Sequence, residues 1–167
     1  RLDIDVTPMT LPLIGSAIAR NYRGAEPRDA VLGLSSYAWG GEQVQVDTLQ
    51  VPLSKLDKPL ILVTGEQQGS FELFDEVGES VFNGKVGIRS ASGQFAIFVS
   101  RLHARAGTRF VIVKRSTEMA IKELRASFVA RERGKKSGIL EVSLVGPDAD
   151  EIVLVLDDIL NTYVRQN

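Results

Sequence analysis

"RGKKSGILEVSLVGPDADEIVLVLDDIL" (residues 133–160) carries two hydrophobic rhythms, and its first letters pose a choice. Gly134-Lys135-Lys136-Ser137 has the look of the end of a phosphate-binding loop. Such a loop needs a strand, a glycine-rich turn, and then a helix whose N-terminal amides face the phosphates. Here Val129 or Ala130 stands where the first glycine belongs. The residues that follow alternate, with Ile139, Glu141 and Ser143 on one side and Leu140, Val142 and Leu144 on the other. A period of two is a strand, so no helix N-terminus is available to hold an anion. The Lys-Lys-Ser segment is therefore expected to be a charged turn between the strands "FVARERG" and "GILEVSLVG". From Pro147 the rhythm lengthens. Ile152, Val155, Leu156, Ile159 and Tyr163 form a helical stripe, with Asp148 as cap and Glu151 three residues on, a capping-box spacing. Val153 and Leu154 fall outside the stripe, so this helix is apolar on more than one face. Burial in the core is the expected reading, and presentation to another subunit is the alternative.

Working outward, "TPMTLPLIGSAIARNYRG" (7–24) predicts a short helix capped by Thr10, with Pro12 in its first turn and Gly24 at its end. A polar connector containing Gly40 and Gly41 follows. "QVQVDTLQV" (43–51) puts Val44 and Val46 on one face and reads as a half-buried strand. "LILVTG" (60–65) and "SFELFD" (70–75) are expected to form a hairpin. "VFNGKVG" (81–87) holds Asn83-Gly84, the strongest short hairpin-turn signal. "QFAIFVSRLHA" and "TRFVIVKRS" flank "RAG" and are expected to pair antiparallel. Ser116 then caps a helix with Glu118 in its first turn and Ile121, Leu124 and Phe128 along its stripe. Strands interrupted by isolated helices indicate an α+β fold with a mostly antiparallel sheet.

The 167 residues suffice for one domain, residues 1–167, that buries roughly 70% of its unfolded surface. A net charge of −1 supplies no field for nucleic acid or anionic lipid. The absence of cysteine excludes disulfides, thiol chemistry and cysteine metal sites. No run approaches the about 20 apolar residues of a membrane span. The chain starts at Arg1 and reaches Asn167 within a helical pattern, so it is read as part of a longer protein whose final helix continues.

Candidate chemistry is sparse. His103 is the single histidine, with no serine or acid at triad spacing, and one histidine cannot build a histidine metal site. Asp3-Ile4-Asp5 and Asp148-Ala149-Asp150-Glu151 lack the ligand spacing and turn glycine of a calcium loop. Lys114-Arg115-Ser116 and the run from Arg131 to Lys136 are expected to be solvated turns, with weak polyanion contact as the alternative. Trp39 and the dispersed Tyr22, Tyr37 and Tyr163 form no evident stacking platform for sugar. No catalytic, cofactor-binding or metal residue is assigned, and no cofactor is expected.

The succession "VTPMTLPLIGSAIAR", "GKVG", "RAGTRFVIVKRS" and "AIKELRASFVARERGKKSGILEVSLVGPDADEIVLVLDDILNTYVRQN" resembles the periplasmic segment of bacterial polysaccharide co-polymerases, of the branch fused to a tyrosine autokinase (the Wzc type of the Wzz superfamily). The resemblance covers most of the chain and is strongest over 107–167. It implies a domain without chemistry of its own at the periplasmic face of the inner membrane, anchored through flanking transmembrane helices, with a cytoplasmic kinase elsewhere in the parent. It implies homo-oligomeric rings, partnership with the polymerase and export machinery, and a role in the length and export of capsular or exopolysaccharide. Direct contact with that polysaccharide would be weak, and no nucleic acid is involved. A secreted carbohydrate-binding or adhesion module is the alternative.

Overall fold

In a computed structural model, the structure describes residues 3–12, 14–134, 139–146 and 149–166. The chain divides into two compact units, Arg1–Ser116 and Thr117–Asn167.

Among the described residues, the first unit holds eight strands and one short α-helix, besides two 3-10 turns: β1 (Ile4–Pro8), α1 (Ile14–Asn21), β2 (Gln43–Gln50), β3 (Pro59–Thr64), β4 (Ser70–Phe74), β5 (Ser80–Lys85), β6 (Ser90–Ser92), β7 (Phe95–His103) and β8 (Arg109–Lys114). Every pairing is antiparallel. One sheet runs in the order β1-β8-β3-β4-β5 and the other β2-β7-β6. β1 passes close to β2 and β5 close to β6, so the sheets approach at both edges and enclose one core. Alternation along β3 and β4 sends Leu60, Leu62, Phe71 and Leu73 inward, where they meet Phe110 and Ile112 of β8 and Ile97 and Val99 of β7. Each such side chain contributes about 1.5–3 kcal/mol by leaving water. The fold is α+β with antiparallel sheets, as its patterning predicts.

Three local expectations are corrected. The segment 7–24 does not begin as helix. Thr7 and Pro8 close the edge strand β1, whose Ile4 and Val6 pack on the core, and helix starts only at Ile14. Pro8 is tolerated because an edge strand leaves one side of its backbone unpaired.

The strands flanking "RAG" do not pair with each other. β8 is saturated by β1 on one side and β3 on the other, while β7 lies between β2 and β6. The intervening turn carries the chain from one sheet to the other. It is held there by Gly107 N–H on the Thr64 carbonyl (2.8 Å) and Thr64 N–H on the Thr108 carbonyl (3.0 Å).

Asn83-Gly84 is no hairpin turn. Both residues lie within β5, where Gly84 pairs with Phe71. A Cβ on Gly84 would come within 2.3 Å of the Phe71 ring. The glycine is there to admit a buried aromatic, a packing demand that outranks its turn propensity.

The second unit comprises α2 (Thr117–Ser127), β9 (Phe128–Glu132), β10 (Leu140–Leu144) and α3 (Ala149–Gln166). β9 and β10 pair antiparallel, with Val142 opposite Ala130 and Leu144 opposite Phe128, as the period-two pattern requires. The Lys135-Lys136-Ser137 turn and the Asp148 cap lie outside the described residues. On α3, Ile152, Val155, Leu156 and Ile159 are half-buried, but Tyr163 of the expected stripe is exposed. Of the stripe expected for α2, Leu124 is half-buried and Ile121 exposed, while Phe128 lies past the helix as the first residue of β9, where it is half-buried.

Candidate functional site

Among the described residues considered for chemistry, His103, Asp3, Asp5, Lys114 and Arg115 make structural contacts; the side chains of Lys135, Lys136, Ser137 and the Asp148–Glu151 group lie outside the described residues. His103 ends β7, and its Nε2 lies 3.1 Å from the Glu26 carboxylate, a surface contact between strand and connector. Asp3 pairs with Lys114, and Asp5 pairs with Arg115 at 3.2 Å. These contacts follow from β1–β8 register, which sets Ile4 opposite Lys114 and Asp5 opposite Val113. The hydrogen bond from Lys114, aided by its charge, lowers the Asp3 pKa against an opposing desolvation effect. Ser116 N–H donates to the Asp57 carboxylate at 2.9 Å, and that bond is the chief cause of a lowered Asp57 pKa. The basic segment 114–116 therefore makes contacts within its own unit. Arg131, within β9, and Arg133, just after it, are exposed. Among the described residues no group of acidic or histidine side chains is arranged to hold a metal ion.

The connector 22–42 is nearly devoid of regular structure and is fixed by a polar bracket the sequence reading missed. The Trp39 indole is 1% exposed, and its Nε1–H donates to the Leu34 carbonyl at 3.0 Å. The Glu42 side chain is equally buried, at 1%. Its Oε1 accepts from Trp39 N–H (2.9 Å) and from Arg105 Nη2 (3.0 Å), and its Oε2 accepts from Gly40 N–H (2.7 Å). Arg105 Nη2 also donates to the Tyr37 carbonyl at 3.0 Å. Gly40 and Gly41 have φ of +122° and +85°, and a Cβ on Gly40 would strike Tyr22 at 2.4 Å. Glycine is needed for backbone and space alike.

A second charged cluster ties the 3-10 turn Leu53–Lys55 to the β4–β5 turn. Lys55 Nζ reaches Glu76 (2.7 Å) and Asp75 (2.9 Å), and Lys58 reaches Glu76 at 3.3 Å. The Lys55 hydrogen bond is the leading cause of the lowered pKa of both Asp75 and Glu76. In return, hydrogen bonds to Glu76 and then Asp75 raise the Lys55 pKa.

The sign follows from linkage. With the native carboxylates below their unfolded values of about 4, the unfolded chain binds more protons in mild acid. Their stabilisation is complete above that range and is lost as pH falls through the lowered native values. The Lys55 contribution is complete below the ordinary lysine value and is lost as pH rises through its raised native one. Denaturant midpoints measured from pH 3 to 7 should therefore be flat near neutrality and fall below about pH 4. Lys55→Met should flatten the acid limb, and an unchanged limb would remove the cluster from the explanation.

The remaining distinctive surface is on α3. Val153 (58% exposed), Leu160 and Val164 (73%) follow one another at spacings of seven and four, which brings them onto one side of the helix. They border the half-buried stripe, and Tyr163 joins them. The broad apolar arc anticipated from Val153 and Leu154 is real, but its second half faces solvent. No helix among the described residues is long and apolar enough to cross a membrane.

The sequence profile of the family described as tyrosine-protein kinase Wzc, N-terminal domain, matches residues 4–115, nearly the whole first unit. The chain is 34% identical to the tyrosine-protein kinase etk of Escherichia coli K12 over 126 residues, 75% of the chain. Over 99% of the chain it is 31% identical to AmsA of Erwinia amylovora and 29% identical to the tyrosine-protein kinase wzc of Salmonella typhimurium. It spans 17%, 20% and 21% of the etk, AmsA and wzc proteins, respectively. What is matched is an N-terminal domain, and the kinase domain lies outside it.

Proposed function

The chain belongs to the family of the Wzc tyrosine-protein kinase N-terminal domain, and we propose that it is the periplasmic assembly module of an inner-membrane polysaccharide co-polymerase. In this reading residues 1–167 act as one non-catalytic module of a membrane-anchored, homo-oligomeric protein. It helps govern the polymerisation, chain length and export of a capsular or exopolysaccharide together with the polymerase and export machinery.

The observation that carries the assembly role is the exposed apolar arc of α3. Burying Val153, Leu160 and Val164 against a neighbour would gain about 25 cal/mol per Å² of apolar surface removed from water. The secreted binding module fares worse, because the tryptophan it would stack on sugar is buried.

The chain has no cysteine, so Val153→Cys is the single thiol within it, and the same parent without that substitution supplies the background control. Val153→Cys in the membrane-anchored parent should react with a membrane-impermeant maleimide added to spheroplasts. Under mild oxidation it should form disulfide-linked protomers. Leu160→Asp should reduce that crosslink and alter the polymer length distribution. Labelling only after lysis would overturn the location, and an unaltered crosslink and polymer in Leu160→Asp would overturn the use of α3.

A further inference from the structure

We propose that the open cavity at the end of α1 binds a hydroxylated monocarboxylate, of the class of a uronic-acid residue. The cavity has a volume of about 390 Å³ and is lined by Ala17, Ile18, Asn21, Tyr22, Arg23 and Arg28, among others. That size lies within the range of small-ligand sites, about 300–1,000 Å³.

Its chemistry is asymmetric in a way that selects a ligand. Among the described residues neither the Arg23 nor the Arg28 guanidinium has a carboxylate partner, and no acidic side chain lines the space. Asp29 follows Arg28 directly in the chain but is exposed and does not line the space, and the Glu26 carboxylate lies 3.1 Å from His103 Nε2. Two planar guanidinium groups suit a carboxylate, which each can bind through paired hydrogen bonds. Ala17 and Ile18 supply an apolar floor for the face of a ring. The rim is fixed: Tyr22 donates to the Glu26 carbonyl at 2.8 Å, and its ring fills the space beside Gly24, Gly40 and Gly41.

The helix end decides between anions. The cavity sits at the C-terminal turn of α1, where carbonyl acceptors lack intrahelical donors and the helix dipole is negative. Such a pole disfavours a compact dianion and welcomes hydroxyl donors. A phosphate dianion brings a second charge toward that pole and only one hydroxyl donor. A sugar ring bearing one carboxylate and several hydroxyls fits both the arginines and the carbonyls.

The inference rests on the polysaccharide reading only for the biological source of the ligand. Its test is independent of that reading. The 167-residue chain is titrated with trigalacturonate, with neutral maltotriose and with inorganic phosphate, following the amide resonances of Ala17, Asn21 and Gly24. Saturable shifts are expected with trigalacturonate alone. Arg23→Gln with Arg28→Gln should weaken binding by about tenfold or more while leaving the thermal midpoint within a degree or two. Absence of saturable binding, equal binding by the double variant, or phosphate binding as tightly as the uronate would each overturn the proposal. Failed crosslinking with intact uronate binding would overturn the assembly reading and leave this site standing.

Discussion

Glu42→Ala should lower the stability of the first unit by about 3–5 kcal/mol, the range for breaking a buried ion pair from one side. The expectation comes from what is left behind. Glu42 is the common acceptor for two backbone N–H groups, of Trp39 and Gly40, and for the Arg105 guanidinium. Alanine removes all three acceptances at once. Arg105 retains its bond to the Tyr37 carbonyl, but its charge loses the partner that offset desolvation. Its Nε is already buried without a hydrogen bond. Because the Arg105 side chain is 19% exposed, some water can return, and the loss should fall toward the lower end of the range.

Glu42→Gln keeps one acceptor oxygen and the shape, so it should cost less than alanine. The double variant Glu42→Ala with Arg105→Met should recover part of the loss, since no uncompensated charge stays buried. Urea denaturation of the parent, Glu42→Ala, Arg105→Met and the double variant closes the cycle. A single-variant loss below about 1 kcal/mol would place the pair among weakly coupled surface contacts instead.

Why this bracket escaped the sequence shows what sequence can carry. Strands with one inward face write themselves as alternation, and β2, β3, β4, β9 and β10 were legible for that reason. α3 was legible through its 3–4 spacing. The partner of each strand was less so, because alternation marks a face and says nothing about which neighbour supplies the hydrogen bonds. Hence β7 and β8, adjacent in sequence, could be assigned to each other although each is saturated elsewhere. Asn83-Gly84 failed differently: local turn propensity lost to the space required by Phe71, a residue 13 positions away in the chain.

β1 could have been found. Ile4 and Val6 alternate with Asp3, Asp5 and Thr7, although two aspartates and Pro8 are poor strand formers and weaken the period-two signal. Glu42 and Arg105 had no such signature. They are 63 residues apart, and a buried acid is indistinguishable in sequence from a solvated one. The α3 surface was half legible: its width was written in Val153 and Leu154, while its exposure depended on what the second unit leaves uncovered.

Trp39→Ala should be as damaging, at about 3–5 kcal/mol, the cost of deleting a large buried aromatic and leaving a cavity. Trp39 also closes the connector through its Nε1–H bond to Leu34 and its backbone bond to Glu42, so the effect combines lost packing with a loosened bracket. Trp39→Phe separates the two. It retains most of the apolar volume and the backbone N–H, and loses the indole donor, so it should cost about half as much or less. Being the single tryptophan, Trp39 is also its own probe. Native emission should be blue-shifted and poorly quenched by iodide, moving red only in the unfolding transition. The same signal decides how a sugar would be met. Trigalacturonate at the α1 cavity should leave that emission nearly unchanged, because the indole is shut away from solvent. Strong quenching by an oligosaccharide, lost in Trp39→Phe without loss of fold, would put the indole itself in contact with the sugar and restore the free binding module as the better account of this chain.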